Sequence, residues 1–247
     1  MVTISADDSG LHARLIDDQP IEPLVTRLTE YLGLSDGRYE EFVAEYKEDE
    51  IIGPALRKWP GLRLLHQDPW ECLVGFIASS TSSVPSIKRN VGSIAATLGE
   101  RIGPGDRDFA FPKPAVIRDA GEDHLRRLGL GFRAPYIAEA ASSVAAGDIN
   151  FAHFPDMTYQ EARGALMTLS GVAGKVADCV LALSLDKGEA FPVDRWIKRA
   201  LVERYKLSKD IVHEVVSAWA RERFGKHAAY VNQYLFHHQR MSSKESR

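Results

Sequence analysis

From Leu169 to Asp194 the chain reads LSGVAGKVADCVLALSLDKGEAFPVD, a glycine-bearing turn that opens one apolar helix, then a proline-led turn that opens another. Gly171 and Gly174 admit left-handed or crowded backbone that other residues resist. The turn can therefore present amide groups at a helix start, where the peptide dipoles favour an anion. Upstream, Thr158-Tyr159-Gln160-Glu161 has the residues of a capping box and starts the helix that leads into the turn. Residues 158–185 thus make a helix-hairpin-helix candidate, a device that binds backbone phosphate. Plain helix connections use the same G-x-x-G spacing, so the turn alone does not decide. What sets this one apart is Lys175 at the start of one helix and Asp194, 19 residues on, at the start of the next.

An ordinary lysine is almost wholly protonated at neutral pH, a deficit of roughly 4 kcal/mol for a nucleophile. Burial against the apolar helix and the positive end of its dipole both disfavour the ammonium, so this location would activate the amine. A phosphate-contacting or snorkelling lysine is the other reading of the same position. Asp194, after Pro192-Val193 and before RWIKRAL, is an apt N-cap. An ionised capping carboxylate beside a sugar can also stabilise developing oxocarbenium charge or help move protons.

At 247 residues and 45% hydrophobic, the chain can bury one large core or two small ones. MVTISADDSG lacks the basic and apolar regions of a signal peptide, and the apolar run VADCVLALSL is far short of the ~18 residues needed to span a bilayer. The expectation is a soluble intracellular protein with no membrane partner, in cytoplasm, nucleoid or nucleus according to its source. Cys72 and Cys179, without a C-x-x-C pair, suggest reduced thiols rather than a zinc finger, cluster or disulfide framework. His213, His227 and His237-His238 have no recognised ligand spacing. The net charge of −3 hides an asymmetry: residues 1–60 carry 13 acidic and 6 basic side chains (−7), leaving 21 acidic and 25 basic (+4) for the rest. Positive charge gathered on one face would serve a footprint of a few phosphates; ordinary solvated charge gives the same sum.

Helical signals dominate. VTIS and LHARLI predict at most a small N-terminal strand pair. Three short helices are predicted around Leu24–Leu32, Phe42–Tyr46 and Ile51–Leu56. Asp68-Pro69-Trp70-Glu71 predicts an N-cap, a proline at the first helical position and a capping-box glutamate, opening a buried helix through Ile77. Another helix spans Pro85 to Leu98, a proline-rich loop Pro104 to Pro114, and two helices near 208–223 and 226–240 close the chain.

These residues carry a resemblance. The segment 169–194 resembles the helix-hairpin-helix DNA glycosylases, and within them the 8-oxoguanine DNA glycosylases, whose pattern reads LPGVGTKVADC followed by VPVD. LLHQDPWECLVGFIASS at 64–80 and LRRLGLGFRAPYI at 125–137 also match, so the resemblance covers about 21–240. It implies a mainly α fold of two helical subdomains flanking a cleft. A reduced N-terminal segment would occupy 1–20, the core 21–240 and a tail 241–247. The implied activity removes oxidised guanine from double-stranded DNA and then nicks the strand, in a monomer that requires no cofactor. Lys175 would attack the deoxyribose C1′, with Asp194 the essential carboxylate. Cys179, one helical turn after Lys175, would wall the base pocket with Pro192, opposite a stacking Phe236, and Asn232 would stand where the family has a glutamine reading the base edge. On spacing alone, Cys179 is a small buried hydrophobe and Phe236 a core residue. The resemblance also makes Phe132 a wedge in the vacated base stack, Arg133 the group meeting the unpaired base, and Gly171, Val172 and Gly174 the phosphate-binding turn. Without the resemblance, Phe132 reads as a packing residue at a helix start.

Departures from the family pattern bear on specificity. Thr81 and Ser86 occupy the places of the asparagine and arginine that address the opposite cytosine, which implies weaker discrimination of that base. The N-terminal β-rich domain that helps distinguish 8-oxoguanine from guanine is reduced to about twenty residues. Ser170 and Ala173 replace a proline and a glycine, and Ala173 fits if its φ is negative. The family often holds a cation on hairpin carbonyls, which correspond here to those of Met167, Leu169 and Val172. Two other functions fit parts of the pattern. One is a glycosylase for another damaged purine, although members that remove alkylated bases usually lack the lysine; the other is a non-catalytic DNA-binding module.

Overall fold

Most helices begin where the local chemistry directs. In the computed structural model, which describes residues 2–7, 10–15 and 21–245, α4 (Pro69–Ala78) starts with the Glu71 amide donating to Asp68 Oδ1 at 2.9 Å. At α8 (Tyr159–Met167) the box is reciprocal: Thr158 accepts from the Glu161 amide, and its own amide donates to the Glu161 carboxylate. The three short N-terminal helices are α1 (Ile21–Tyr31), α2 (Arg38–Tyr46) and α3 (Gly53–Lys58), and α5 spans Val84–Leu98. The strand pair is an antiparallel hairpin of β1 (Val2–Asp7) and β2 (Gly10–Leu15), registered from Val2 opposite Leu15 to Asp7 opposite Gly10. Ile16, expected at its end, lies outside the described residues.

Two helices lack the apolar spacing that marks the others. In α6 (Pro114–Leu125), Gly121 at φ 75°, ψ 173° interrupts the helix, so no continuous stripe forms. In α7 (Ala134–Ala146) the buried face is made mainly of alanine. A π-helical turn at Arg126–Leu130 and a 3-10 turn at Gly131–Arg133 join them. The remaining helices are α9 (Gly174–Ser184), α10 (Arg195–Tyr205), α11 (His213–Phe224) and α12 (Ala228–Glu245). The start of α11 falls later than the expected 208, because Val212 is extended at φ −71°, ψ 142°. Helix α12 runs on through Glu245, so residues 241–245 are helix rather than tail.

The buried apolar residues divide into two cores. The first includes Leu73 and Ile77 of α4, Ile94 of α5, Ile117 of α6, Ile137 of α7, Leu166 of α8 and Val180 of α9. The second joins Phe42 and Ile52 to Phe191, Ile197, Val216, Val231 and Tyr234, with the Phe42 and Tyr230 rings stacked at 5.1 Å. Each such side chain contributes about 1.5–3 kcal/mol by leaving water. The middle of the chain builds the first core and both flanks build the second. These are the two helical subdomains, and the segment from α9 into α10 crosses from one to the other.

Candidate active site

The turn before α9 fixes where Lys175 sits. Gly171 has φ 77°, and a side chain there would strike the Tyr136 ring of α7. Ala173, at φ −86° and ψ 173°, is ordinary extended backbone, which is why alanine fits in place of a second glycine. Gly174 answers a different demand: a Cβ would overlap the Arg163 guanidinium and the Glu214 carboxylate. That pair, 2.7 Å apart, passes directly over the helix start and ties α8 to α11. Within the turn the Val172 amide donates to the Leu169 carbonyl at 3.1 Å, and both side chains are buried. The Ser170 amide donates to Glu139 Oε1 at 3.2 Å, and Met167 is exposed.

Lys175 Nζ lies 5.0 Å from the centroid of the Phe76 ring on α4. One turn further, the Cys179 thiol meets the same amine, as the four-residue spacing requires. Burial pushes this thiol up to about 12, so it is neutral at physiological pH. Lys175 and Asp194 act on it with opposite signs, which brings all three into one locale. Asp194 heads α10, its Oδ1 accepting the amides of Trp196 at 2.9 Å and Ile197 at 2.8 Å. Both bonds use one oxygen, which leaves Oδ2 for chemistry. From the second core, Asn232 donates through Nδ2 to the Pro192 carbonyl at 2.8 Å, and Phe236, one turn along α12, is half-buried. Lys175 and Cys179 thus lie on α9 of the first core, while Asp194, Asn232 and Phe236 lie on helices of the second.

A second group forms around Phe132, which is 51% exposed and is therefore not a core residue. Arg133 stacks on it at 4.4 Å but is itself buried. The Arg133 guanidinium donates to the Ser80 carbonyl at 2.7 and 2.5 Å and to Thr81 Oγ1 at 3.3 Å, so it is committed to the α4–α5 turn. Thr81 stands at φ 51°, a strained conformation for a β-branched residue, and the arginine braces it. Ser86 accepts from Arg89 at 3.3 Å.

Sequence reasoning passed over Asp178, the hub of a buried polar network. It accepts from Tyr159 Oη at 2.6 Å, Arg163 Nε at 3.0 Å and Ser217 Oγ at 3.2 Å, while Arg221 donates to both Tyr159 and Ser217. Burial raises its carboxyl above the ordinary range, against the opposing pull of Tyr159 and Arg163. An aspartate inside the apolar run VADCV was the available signal, since a buried charge requires partners. Phe76 and Glu139 carried no comparable signal.

Two helical cores and a hairpin between helices define the helix-hairpin-helix class of folds. No family model matches the chain. It is 34% identical over 218 residues to a "Probable N-glycosylase/DNA lyase" of Methanothermobacter thermautotrophicus, covering 80% of this chain and 69% of that protein. It is 30% identical over 203 residues to N-glycosylase/DNA lyase OGG1 of Arabidopsis thaliana, covering 77% of this chain but only 55% of the plant protein. Among solved structures, the Clostridium acetobutylicum 8-oxoguanine glycosylase/lyase, in complex with double-stranded DNA containing cytosine opposite 8-oxoguanine, superposes with a TM-score of 0.91. Its identity is 28%, over 98% of this chain and 82% of that one. The chain belongs to the 8-oxoguanine DNA glycosylase family of N-glycosylase/DNA lyases, bifunctional enzymes of DNA repair.

Proposed function

We propose that the protein excises 8-oxoguanine from double-stranded DNA and then cuts the strand as a lyase, with Lys175 as nucleophile and Asp194 as the essential carboxylate. The observation that carries this reading is the Lys175 amine at the Cys179 thiol, with the charge of Asp194 at the start of α10 acting on the same thiol. The amine forms a bond to C1′ as the glycosidic bond breaks and its electron pair leaves on the base. One amine proton passes to the departing base. The C1′–O4′ bond then opens, O4′ takes a proton from water, and the lysine nitrogen becomes an iminium. Loss of a C2′ proton expels the 3′ phosphate by β-elimination. Asp194 Oδ2 supplies negative charge opposite the developing oxocarbenium.

Cys179, Pro192, Asn232 and Phe236 shape the base pocket in this reading. Gly171, Val172, Gly174, Phe132, Arg133 and Thr81 face the duplex, Phe132 filling the gap left by the extracted base. Arg133 reaches an unpaired base only by giving up its bonds to Ser80. The enzyme works as a monomer and needs no cofactor for the chemistry, and a cation on the carbonyls of Met167, Leu169 and Val172 would stiffen the hairpin only. Borohydride added during incubation with an 8-oxoguanine duplex should trap a covalent adduct, while Lys175→Gln should bind the duplex but neither trap nor cut. Wild-type protein that releases no base and traps nothing overturns the reading. Repeating the trap with each base opposite the lesion, and with duplexes carrying alkylated purines, measures the weakened discrimination expected from Thr81 and Ser86.

A further inference from the structure

Among the described residues Lys175 has no carboxylate at ion-pair distance. Its neighbours are instead the π face of Phe76, 5.0 Å from Nζ, and the neutral Cys179 thiol. A carboxylate partner would hold the nitrogen in place but stabilise the ammonium, which cannot attack. An aromatic face attracts the same cation far less strongly when partly exposed, and it has no proton to exchange. Phe76 is half-buried and packs against the first core, so its ring is itself held by α4. Helices α4 and α9 pack along each other, which keeps ring and amine in fixed register.

We propose that Phe76 is a positioning residue for the nucleophile: its ring face seats the Lys175 nitrogen at the cleft without an ion pair and supports the iminium that the same nitrogen becomes. This rests on the glycosylase and lyase reading of the site. The ring touches neither base nor phosphate in this role, so its loss should slow chemistry rather than weaken binding. A leucine keeps apolar bulk but lacks a π face, whereas a tyrosine keeps the face.

The test compares wild type, Phe76→Leu and Phe76→Tyr under single turnover on a duplex with 8-oxoguanine opposite cytosine, following base release, strand cleavage and borohydride trapping. Affinity for a duplex carrying a tetrahydrofuran abasic analogue is measured alongside, and circular dichroism melts report folding. Phe76→Leu should lower the single-turnover rate and the trapping rate by ~5- to 10-fold with affinity changed by less than about 2-fold, and Phe76→Tyr should restore both rates. The inference falls if wild type traps and Phe76→Leu does so equally fast. It falls also if Phe76→Tyr, folded, is as slow as Phe76→Leu, since packing and not the π face then matters. Wild type that fails to trap would instead remove the functional reading on which the inference stands.

Discussion

Asp178 shows how one buried charge can organise a site it does not touch. It stands three residues after Lys175 and is 1% exposed, held by Tyr159, Arg163 and Ser217. Removing a buried charge leaves its donors unpaired, here Tyr159 Oη and Arg163 Nε. Asp178→Ala should therefore cost about 3–5 kcal/mol, read from urea denaturation, and Asp178→Asn, which keeps one acceptor for Tyr159 and Arg163 and can donate to Ser217 Oγ, should cost less. The residues proposed to do chemistry were placed by local rules of capping and helix spacing: Asp194 caps α10 and Cys179 shares a face with Lys175. The partners of Asp178 were not legible, because Tyr159, Arg163 and Ser217 reach it from two other helices that no local pattern connects.

At the scale of elements, the hairpin is shaped by neighbours as much as by its own glycines. Tyr136 of α7 forbids a side chain at Gly171, and the Arg163–Glu214 pair forbids one at Gly174. A third neighbour works against the expected ligand: Glu139 of α7 puts a carboxylate on the Ser170 amide, in a turn expected to receive phosphate. Removing that charge lessens repulsion of the DNA backbone. Glu139→Gln should tighten binding of an undamaged duplex by ~2- to 5-fold at low salt, with the gain fading as screening increases. Fluorescence anisotropy across a salt series checks both parts. Helices with capping boxes and apolar stripes were readable from sequence. The kinked α6 and the alanine-faced α7 were not, since an interrupted stripe and small side chains leave little periodicity to detect.

Across the whole molecule, a charged cluster ties α2 to the chain just after α9, at the far end of that helix from Lys175. Arg38 of α2 meets Asp36 at 2.6 Å and Asp186 at 3.0 Å, and His66 Nδ1 meets Asp186 at 2.9 Å. They edge an open depression of about 910 Å³ that Arg27 and Glu71 also line. The hydrogen bond to Asp186 raises His66 above the ordinary histidine value, and the same bond lowers Asp186 to about 2. A raised histidine contributes stability below its unfolded value and loses it as pH rises through the folded value. A lowered carboxylate contributes above its unfolded value and loses it as pH falls toward about 2. Thermal melts should therefore show the Tm of wild type falling as pH rises from mildly acidic to mildly alkaline. His66→Gln should flatten that dependence and also lessen the loss in strong acid, leaving the part that the Arg38 pairing of Asp186 contributes.

The second core draws on α2 and α3 from one flank of the chain and on α10, α11 and α12 from the other. During synthesis the helices of the first core leave the ribosome as one unbroken run, and local contacts let such a unit form early. A nascent chain extruded only to the end of α9 would already display the hairpin and Lys175, but neither Asp194 nor the helices that complete the facing subdomain. On the proposed function, an interrupted polypeptide could grip a duplex and leave it uncut. The order of translation itself then withholds strand scission until the last helix is made.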